Sequence, residues 1–293
     1  MSQPIILITG ADGQLGQEFR SIAERNSQFN FLFVGKLELD VTVESWVMKH
    51  ILEHKPDVVI NCAAYTNVER AEDEPEMAML GNRAAPGFIA EACHAAGALL
   101  IHISTDYVFD GKKKTPYKES NSVKPLNIYG HSKWQGEKMV DEKVKRHYTI
   151  RTSWLYSSFG HNFMKTMLRL AKERDELKVV NDQVASPTHA GDLASDILKL
   201  LHKVLIEQES IEFGLYHYSQ KGEASWYDFA TEIMAQAKMD VPVIAVDSSA
   251  FPVKAIRPKY SKLDHSKWEE NTSITPLHWK DGLKNALQKL NEG

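Results

Sequence analysis

The chain has 293 residues, of which 43% are hydrophobic and 25% are charged, a composition typical of a globular protein with one large domain or one domain and a smaller lobe. Its formal net charge of −4 argues against binding of nucleic acid or anionic membranes through a general basic field. Two cysteines, the absence of a signal-peptide pattern and the absence of an apolar run of ~20 residues predict a cytoplasmic protein without disulfides or membrane spans.

The first half of the chain alternates short apolar runs with longer amphipathic segments. Uninterrupted apolar strands separated by helices are typical of a parallel sheet that is covered on both faces. Right-handed crossovers then give a doubly wound, Rossmann-type α/β fold. The predicted strands are residues 5–9, 31–34, 58–61, 99–103 and 148–151. The predicted helices are residues 14–26, 43–54, 75–96 and 129–144.

The pattern loosens after about residue 155, where prolines become frequent. We interpret residues 1–155 as a dinucleotide-binding domain, and residues 156–293 mainly as a smaller substrate-binding lobe whose later segments return to the first domain. The lobe is predicted to contain strands 178–180 and 215–217, helices 162–174, 190–202 and 225–238, and packing residues Trp226, Trp268 and Trp279.

A glycine-rich turn follows the first predicted strand and opens the first predicted helix. Its glycines are three residues apart, which permits a tight turn, close approach of a pyrophosphate and close packing of helix on sheet. The helix N-terminus offers free N–H groups to phosphates. This context predicts a dinucleotide site. The residues assigned to it are Gly10, Asp12, Gly13, Gln14, Leu15 and Gly16.

The end of the second strand bears on the choice of coenzyme. NAD-selective sites usually carry an acid there, whereas this strand is followed by Lys36, a cation suited to the 2′-phosphate of NADPH. Asp40 follows closely and is a candidate contact for adenosine, so use of NADH and a plain surface role for Lys36 both stay open. After the third strand, small Ala63 and Ala64 leave room for the cofactor, and Tyr65 is expected to line its path.

A tyrosine and a lysine at positions i and i+4 of a predicted helix, Tyr129 and Lys133, lie on one helical face. A free phenol has a pKa of about 10, and a neighbouring ammonium is expected to lower it. Thr105, at the end of the fourth strand, is expected to hold a substrate oxygen beside Tyr129. The carbonyl carbon then receives hydride from the nicotinamide while Tyr129 protonates the oxygen. The pair alone is common by chance, but its order after the glycine turn and the strand-end hydroxyl favours catalysis.

Taken together, these motifs resemble the extended short-chain dehydrogenase/reductase superfamily and, within it, the dTDP-4-dehydrorhamnose reductase family. The matching segments are residues 7–16, 38–42, 61–72, 104–111, 129–133, 151–156, 186–188 and 257–264. The resemblance implies reduction of the 4-keto group of dTDP-6-deoxy-L-lyxo-4-hexulose to dTDP-L-rhamnose by NAD(P)H. It implies catalytic roles for Thr105, Tyr129 and Lys133, and adds Val41 to the cofactor site. Tyr129 and Lys133 are assigned to the cofactor site as well, where Lys133 is a candidate hydrogen-bond donor to the nicotinamide ribose. The residues assigned to the substrate are Thr105, Asp106, Tyr107, Trp154 and Arg257.

Another nucleotide-sugar reductase, an epimerase and a non-catalytic subunit stay open as alternatives. Related dehydratases resemble a Thr-Asp-Glu pattern, and Tyr107 replaces its second acid here, so elimination is disfavoured. An epimerase is compatible with the fold, and so is a non-catalytic regulatory subunit resembling the methionine adenosyltransferase beta subunit. Some family members bind magnesium at a dimer interface through glutamates. Glu18 matches one of these without a second or third, so we expect no required metal and leave a homodimer open.

Overall fold

A six-stranded, all-parallel sheet lies at the centre of the computed structural model, which describes residues 3–292. Its strands are β1 (Ile5–Thr9), β2 (Asn30–Val34), β3 (Val58–Asn61), β4 (Leu99–Thr105), β5 (His147–Thr152) and β10 (Gly214–His217). Their order is β10-β5-β4-β3-β1-β2, and the direction of winding reverses between β1 and β3. In such sheets, ligands bind where the winding reverses, outside the carboxyl ends of the strands.

Helices cover both faces of this sheet, as the sequence predicts. They are α1 (Gln14–Ile22), α2 (Glu44–His54), α3 (Val68–Ala71), α4 (Pro75–Met79), α5 (Ala85–Ala96), α6 (Ile128–Lys143) and α8 (Ala190–Leu205). Alternate residues of β1 enter different cores: Ile6 and Ile8 pack with α1 and α8, whereas Leu7 packs with α2, α5 and α6. The doubly wound α/β prediction is therefore confirmed.

A second core forms in the later part of the chain, around Tyr156, Phe229 and Trp279. Its larger elements are α7 (Phe163–Leu170), β7 (Leu177–Val180), α9 (Trp226–Ala237), β12 (Val243–Val246) and α11 (Trp279–Glu292). Its two-residue strands are β6 (Leu155–Tyr156), β8 (Val184–Ala185), β9 (Thr188–His189) and β11 (Ala224–Ser225). The remaining helix, α10 (Ser266–Thr272), packs against β10, and its Trp268 lies in the core of the sheet beside Tyr216 and Tyr218, so the prediction that Trp268 packs within the second lobe is wrong. Between residues 3 and 292, no helix has the length and apolar character needed to cross a membrane.

Several element predictions are wrong in detail. The helix predicted over residues 75–96 is interrupted by a π-helical turn, Leu80–Ala84, and the helix predicted over residues 14–26 ends at Ile22 before a short 3-10 turn. The sequence analysis also missed α3, α10, α11 and β12. The π turn has a physical reason, because it brings the buried amide of Asn82 into contact with the backbone of Tyr65 and the hydroxyl of Ser132.

A buried ion pair fixes α6 against the sheet. Glu137 of α6 accepts hydrogen bonds from Arg151 Nε at 2.8 Å and Nη2 at 2.6 Å, and from Ser104 Oγ at 2.5 Å. The two charged residues are only 8% and 2% exposed. Close approach of the helix depends on Gly130 and Gly136, since a Cβ there would lie 2.2 Å from the carbonyl oxygen of Tyr107 and 2.0 Å from that of Asn82. These contacts leave α6 little freedom to shift.

We expect Glu137→Gln to lower the free energy of unfolding by about 3 kcal/mol, because the substitution leaves the Arg151 guanidinium buried without a carboxylate. Urea-induced unfolding measures this loss. Glu173→Gln is the control, since Glu173 pairs with Arg169 at 2.8 Å on an exposed helix face and should cost less than about 0.5 kcal/mol. Equal losses in the two variants would contradict a structural role for the buried pair.

Candidate active site

The glycine turn presents free backbone N–H groups at the carboxyl end of β1. Gly10 has φ +63°, and a Cβ there would lie 2.7 Å from the nitrogen of Ala63, so glycine is required for contact between the turn and β3. Gly13 is the N-cap of α1, and within residues 3–292 no side chain caps this end and no acid occupies its first turn. The turn therefore fits a phosphate group, which N–H groups and the helix dipole would hold.

The other residues assigned to the turn have different environments. The Leu15 side chain packs in the core, so only its backbone can face a phosphate. Gln14 Oε1 accepts a hydrogen bond from Asn162 Nδ2 at 3.0 Å, which links the turn to the second lobe. The Asp12 carboxylate lies against Gly35, where an added Cβ would be 2.0 Å from Asp12 Oδ2.

The tip of β2 carries charges of both signs. Lys36 is exposed, as its assignment requires. Asp40 is engaged locally: its Oδ1 accepts hydrogen bonds from Thr42 Oγ1 at 2.6 Å and from Thr42 N at 3.0 Å, and these bonds hold the pKa of Asp40 below its usual range. Val41 is partly buried against the core beside α2. The sequence analysis missed Glu38, whose Oε2 accepts a hydrogen bond from Gly35 N at 2.9 Å.

The ends of β1 and β3 are tied together next to the glycine turn. Asn61 Oδ1 accepts hydrogen bonds from Thr9 Oγ1 at 2.8 Å and from Ala63 N at 3.2 Å. Ala64 is exposed at this edge. The Tyr65 hydroxyl donates to Glu74 Oε2 at 3.0 Å, and this bond holds the ring beside the start of α4. The backbone of Ala63 contacts Gly10 of the glycine turn, and the cofactor contacts assigned to Ala64 and Tyr65 stay predictions.

Thr105, Tyr129 and Lys133 meet at the carboxyl ends of the strands. These three residues define a region that we call the catalytic edge, after the roles predicted for them. Thr105 is the last residue of β4, and α6 begins close by, with Asn127 Oδ1 accepting a hydrogen bond from Gly130 N at 2.8 Å. Tyr129 lies in the first turn of α6, beside Thr105. Lys133, only 3% exposed, donates from Nζ to the carbonyl oxygen of Ile103 at 2.6 Å.

The pKa of Tyr129 differs from the sequence expectation. Burial raises it to about 12, although the hydrogen bond with Thr105 acts in the opposite direction and the charge of Asp106 adds to the rise. Burial lowers the pKa of Lys133 to about 8, opposed by the carboxylate of Glu137. Lys133, whose ammonium donates to the Ile103 carbonyl, is not among the groups that shift the pKa of Tyr129, so the expected lowering by Lys133 is wrong. Tyr129 is consequently a neutral phenol, which is the form that can donate a proton.

Asp106 and Tyr107 face different surroundings. The Tyr107 ring packs edge-on against Tyr129, with ring centroids 5.8 Å apart, and burial raises its pKa. Asp106 is 2% exposed and accepts hydrogen bonds from Ser261 Oγ at 2.5 Å and Thr105 Oγ1 at 3.2 Å. Tyr107 therefore borders the same space as the Tyr129 phenol, whereas Asp106 is turned towards the protein interior.

Trp154 forms an aromatic pair that the sequence analysis missed. It lies two residues beyond Thr152, which pairs with Thr105, and its φ of +46° is unusual for a residue with a side chain. Its ring stacks on Trp226 of α9 at 3.5 Å with an interplanar angle of 5°. Phe163, the first residue of α7, packs on the same pair, with its ring centroid 4.5 Å from that of Trp226. The sequence offers no signal for this stack, because the two tryptophans are far apart along the chain.

A segment of the second lobe crosses to α3 near Tyr107. Arg257 Nη2 donates to Glu69 Oε1 at 2.9 Å, and Lys254 Nζ lies 2.6 Å from Asp73 Oδ1. Asn127 Nδ2 donates to the carbonyl oxygen of Ile256 at 2.8 Å. The Arg257 charge reaches Tyr107, whose pKa it lowers against the effect of burial. Arg257 is thus placed beside the catalytic edge, with its guanidinium paired to a carboxylate.

Asn82 stabilises the catalytic edge through hydrogen bonds, a role that the sequence pattern did not predict. Its Oδ1 accepts a hydrogen bond from Tyr65 N at 2.9 Å, and its Nδ2 donates to Ser132 Oγ at 3.0 Å. Ser132 Oγ in turn donates to the carbonyl oxygen of Tyr129 at 2.8 Å. The loop after β3 and the first turn of α6 are therefore connected through one buried amide.

Glu18 is fully buried and lies in a cluster of polar side chains. Lys289 Nζ donates to its Oε2 at 2.5 Å and Ser157 Oγ donates to its Oε1 at 2.6 Å. Burial raises the pKa of Glu18, but hydrogen bonds from His189, Lys289 and Ser157 bring it down to about 2. Among the described residues, no group of three His, Cys, Asp or Glu side chains is arranged to hold a metal ion. That no metal is required stays a prediction.

Comparison with known proteins identifies the family. The family model described as RmlD substrate binding domain matches residues 4–292. A curated dTDP-4-dehydrorhamnose reductase of Aggregatibacter actinomycetemcomitans is 40% identical over 286 residues, covering 96% of this chain and 97% of the relative. The solved structure of dTDP-4-dehydrorhamnose reductase from Bacillus anthracis str. Ames in complex with NADP is 39% identical, with a TM-score of 0.93, covering 98% of this chain and 100% of that one.

A second solved structure gives the same result. The dTDP-4-dehydrorhamnose reductase from Clostridium acetobutylicum ATCC 824 is 42% identical, with a TM-score of 0.91, and the match covers 98% of this chain and 99% of that one. The resemblance drawn from the motifs is confirmed. The chain belongs to the family of the RmlD substrate binding domain, together with these dTDP-4-dehydrorhamnose reductases.

Proposed function

We propose that this chain reduces the 4-keto group of dTDP-6-deoxy-L-lyxo-4-hexulose to dTDP-L-rhamnose, as an NAD(P)H-dependent oxidoreductase that prefers NADPH. One observation carries the proposal: a neutral phenol, Tyr129, lies beside the Thr105 hydroxyl at the sheet edge that also bears an uncapped glycine turn. The relatives named for this reaction match along nearly their whole length, which supports the substrate class.

The glycine turn is the proposed coenzyme site. Gly10 and Gly13 leave space for the pyrophosphate, and the N–H groups of Gln14 and Leu15 at the start of α1 would hold it. The bound coenzyme supplies the hydride that reduces the carbonyl carbon. We assign Lys133 to the coenzyme side of the site, because its charge acts on the Cys62 thiol at the end of β3, opposing the rise in pKa that burial causes.

Tyr129 is the proposed proton donor. With a pKa of about 12, its phenol keeps its proton throughout the neutral range. As the carbonyl carbon gains hydride, the negative charge that develops on the keto oxygen takes the proton from Tyr129 Oη, and the product is an alcohol. Thr105, at the end of β4, is proposed to hold the same oxygen by a hydrogen bond. Tyr129 is thus the proposed general acid, and Thr105 positions the oxygen that it protonates.

The lobe formed mainly by residues 156–293 is the proposed binding site for the sugar nucleotide. Trp154, backed by Trp226, gives a flat apolar face for the sugar. Tyr107 borders the phenol of Tyr129 on the other side. Arg257 is proposed to bind the diphosphate, which requires its guanidinium to exchange Glu69 for phosphate oxygens. A homodimer and a cytoplasmic location stay predictions from the sequence.

A spectrophotometric assay tests the proposal directly. The protein is mixed with the keto-sugar nucleotide and NADPH, and the loss of NADPH absorbance is followed. Net consumption of coenzyme distinguishes a reductase from an epimerase. No turnover, together with tight binding to a methionine adenosyltransferase, would favour the regulatory-subunit alternative.

We expect Tyr129→Phe to lower kcat by about a thousandfold, because the ring remains and only the proton donor is removed. The dissociation constant for NADPH, measured by fluorescence titration, should stay nearly unchanged. Tyr227→Phe is the matched control on α9 and should keep native turnover. Full activity in Tyr129→Phe would refute the assignment of the proton donor.

We expect Gly10→Ala to weaken NADPH binding by at least about tenfold, because the added Cβ meets the Ala63 backbone at 2.7 Å and the φ of +63° is strained for alanine. Gly97→Ala isolates the strain: Gly97 has φ +70° but nothing within 4 Å of an added Cβ. The control should lose about 1 kcal/mol of stability and keep native NADPH affinity. Calorimetric titration and thermal unfolding provide the two readouts, and equal affinities in both variants would exclude a coenzyme at this turn.

We expect Lys36→Ala to raise the KM for NADPH by about tenfold, equivalent to ~1.4 kcal/mol, and to leave the KM for NADH nearly unchanged. The substitution removes a cation next to the proposed 2′-phosphate position. This cation would attract the phosphate against the repulsion from the Asp12 and Glu38 carboxylates, which lie near Gly35. Lys172→Ala, at an exposed lysine of the second lobe, is the control. A native preference for NADH that the substitution does not alter would overturn the coenzyme assignment.

A further inference from the structure

A carboxyl group is buried directly behind the proposed catalytic threonine. Asp106 is 2% exposed, and no salt bridge reaches it from any described residue. Its partners are two hydroxyl groups: Ser261 Oγ donates to Oδ2 at 2.5 Å and Thr105 Oγ1 donates to Oδ1 at 3.2 Å. Burying a carboxylate without a cation costs free energy, so apolar packing alone does not explain why an aspartate occupies this position.

The hydrogen bonds of Thr105 conflict with its proposed role. A threonine hydroxyl has one proton to donate and two lone pairs that accept. One lone pair accepts from Tyr107 N at 3.2 Å, the hydroxyl of Tyr129 contacts the same oxygen, and the proton is donated to Asp106 at 3.2 Å. A keto oxygen can only accept hydrogen bonds. While the Thr105 proton points to Asp106, Thr105 therefore cannot hold the substrate oxygen.

We propose that Asp106 is a positioning residue whose protonation releases the hydroxyl proton of Thr105 towards the keto oxygen. This inference rests on the proposed function, because it takes from there the contact between Thr105 and the substrate. When Asp106 carries a proton on Oδ1, it becomes the donor and Thr105 Oγ1 becomes the acceptor. Thr105 then accepts from Asp106 and from Tyr107 N and donates to the keto oxygen, while the Tyr129 hydroxyl turns from Thr105 to the same keto oxygen.

The surroundings of Asp106 place this change of protonation in the neutral range. Burial raises the pKa of Asp106 to about 7, against hydrogen bonds from Ser261, Thr105 and the backbone. Other charged groups nearby are engaged elsewhere: Lys133 on α6 donates to the Ile103 carbonyl, and Arg257 pairs with Glu69. The remaining titratable groups that face Asp106 are the phenols of Tyr107 and Tyr129, both with pKa values raised by burial.

The pH dependence of kcat/KM tests the proposal, because this parameter reports the free protein. In the native chain we expect kcat/KM to fall above about pH 7, approaching tenfold per pH unit as Asp106 loses its proton. Asp106→Asn should remove this fall, since an amide can donate to Thr105 and accept from Ser261 at all pH values. The variant should decline only above about pH 8, where Lys133 loses its proton.

Ser261→Ala is the second variant. It removes a hydrogen bond that lowers the pKa of Asp106, so the fall in kcat/KM should move to higher pH. A readout independent of turnover is the infrared carbonyl band of a protonated carboxyl group. This band should disappear through about pH 7 in the native protein and be missing from the Asp106→Asn difference spectrum. Thermal unfolding checks that both variants are folded.

Two results would overturn the inference while the proposed function stands. One is a native enzyme that turns over while folded Asp106→Asn is inactive at every pH, because the carboxylate itself would then be required. The other is a native kcat/KM that does not change through pH 7. Absence of any turnover by the native protein would instead refute the proposed function, and the inference with it.

Discussion

The position of α6 is the constraint on which the catalytic edge depends. Its first turn carries Tyr129, and its next turn carries Lys133. The helix is held to the sheet by the charged hydrogen bonds between Glu137 and Arg151, and it packs against the backbone of Tyr107 and Asn82 only because Gly130 and Gly136 lack side chains. A buried ion pair gives little net stability compared with apolar packing, but its directional bonds favour one arrangement of helix and sheet.

Burial acts in the same way on several titratable groups of this edge. It raises the pKa of Tyr129 and of Asp106, and it lowers the pKa of Lys133. Each shift favours the neutral form, because a site shielded from water disfavours every isolated charge. For a reductase this environment is suitable. In the proposed reaction, Tyr129 would keep its proton until hydride transfer, and the negative charge developing on the keto oxygen would be poorly solvated until that proton moved.

The sequence predicted those features that local patterns determine. The apolar strands and the turn at Gly10 and Gly13 have short-range signatures, and the Tyr129 and Lys133 pair follows from helical spacing. The π turn at Leu80–Ala84 was missed because it depends on bonds that Asn82 makes to distant backbone and side-chain groups. The Trp154 stack and the Ser261 contact join residues separated by long stretches of chain, and the pKa of Tyr129 depends on burial that only the folded structure reveals.

Polar and charged contacts connect the second lobe to the catalytic edge. Asn162 bonds to Gln14 of the glycine turn, Arg257 pairs with Glu69, and Ser261 bonds to Asp106. Beside them, Leu263 and Tyr260 pack with Val108, Phe109 and Tyr117 in a small apolar cluster. The polar contacts can be exchanged for those of a charged ligand, whereas the apolar cluster would have to be exposed to water. In the proposed binding mode, a diphosphate would take the place of Glu69 at Arg257, exchanging one charged contact for another. The bond between Ser261 and Asp106 involves neither group, so this exchange would leave the alignment of Thr105 and Asp106 intact.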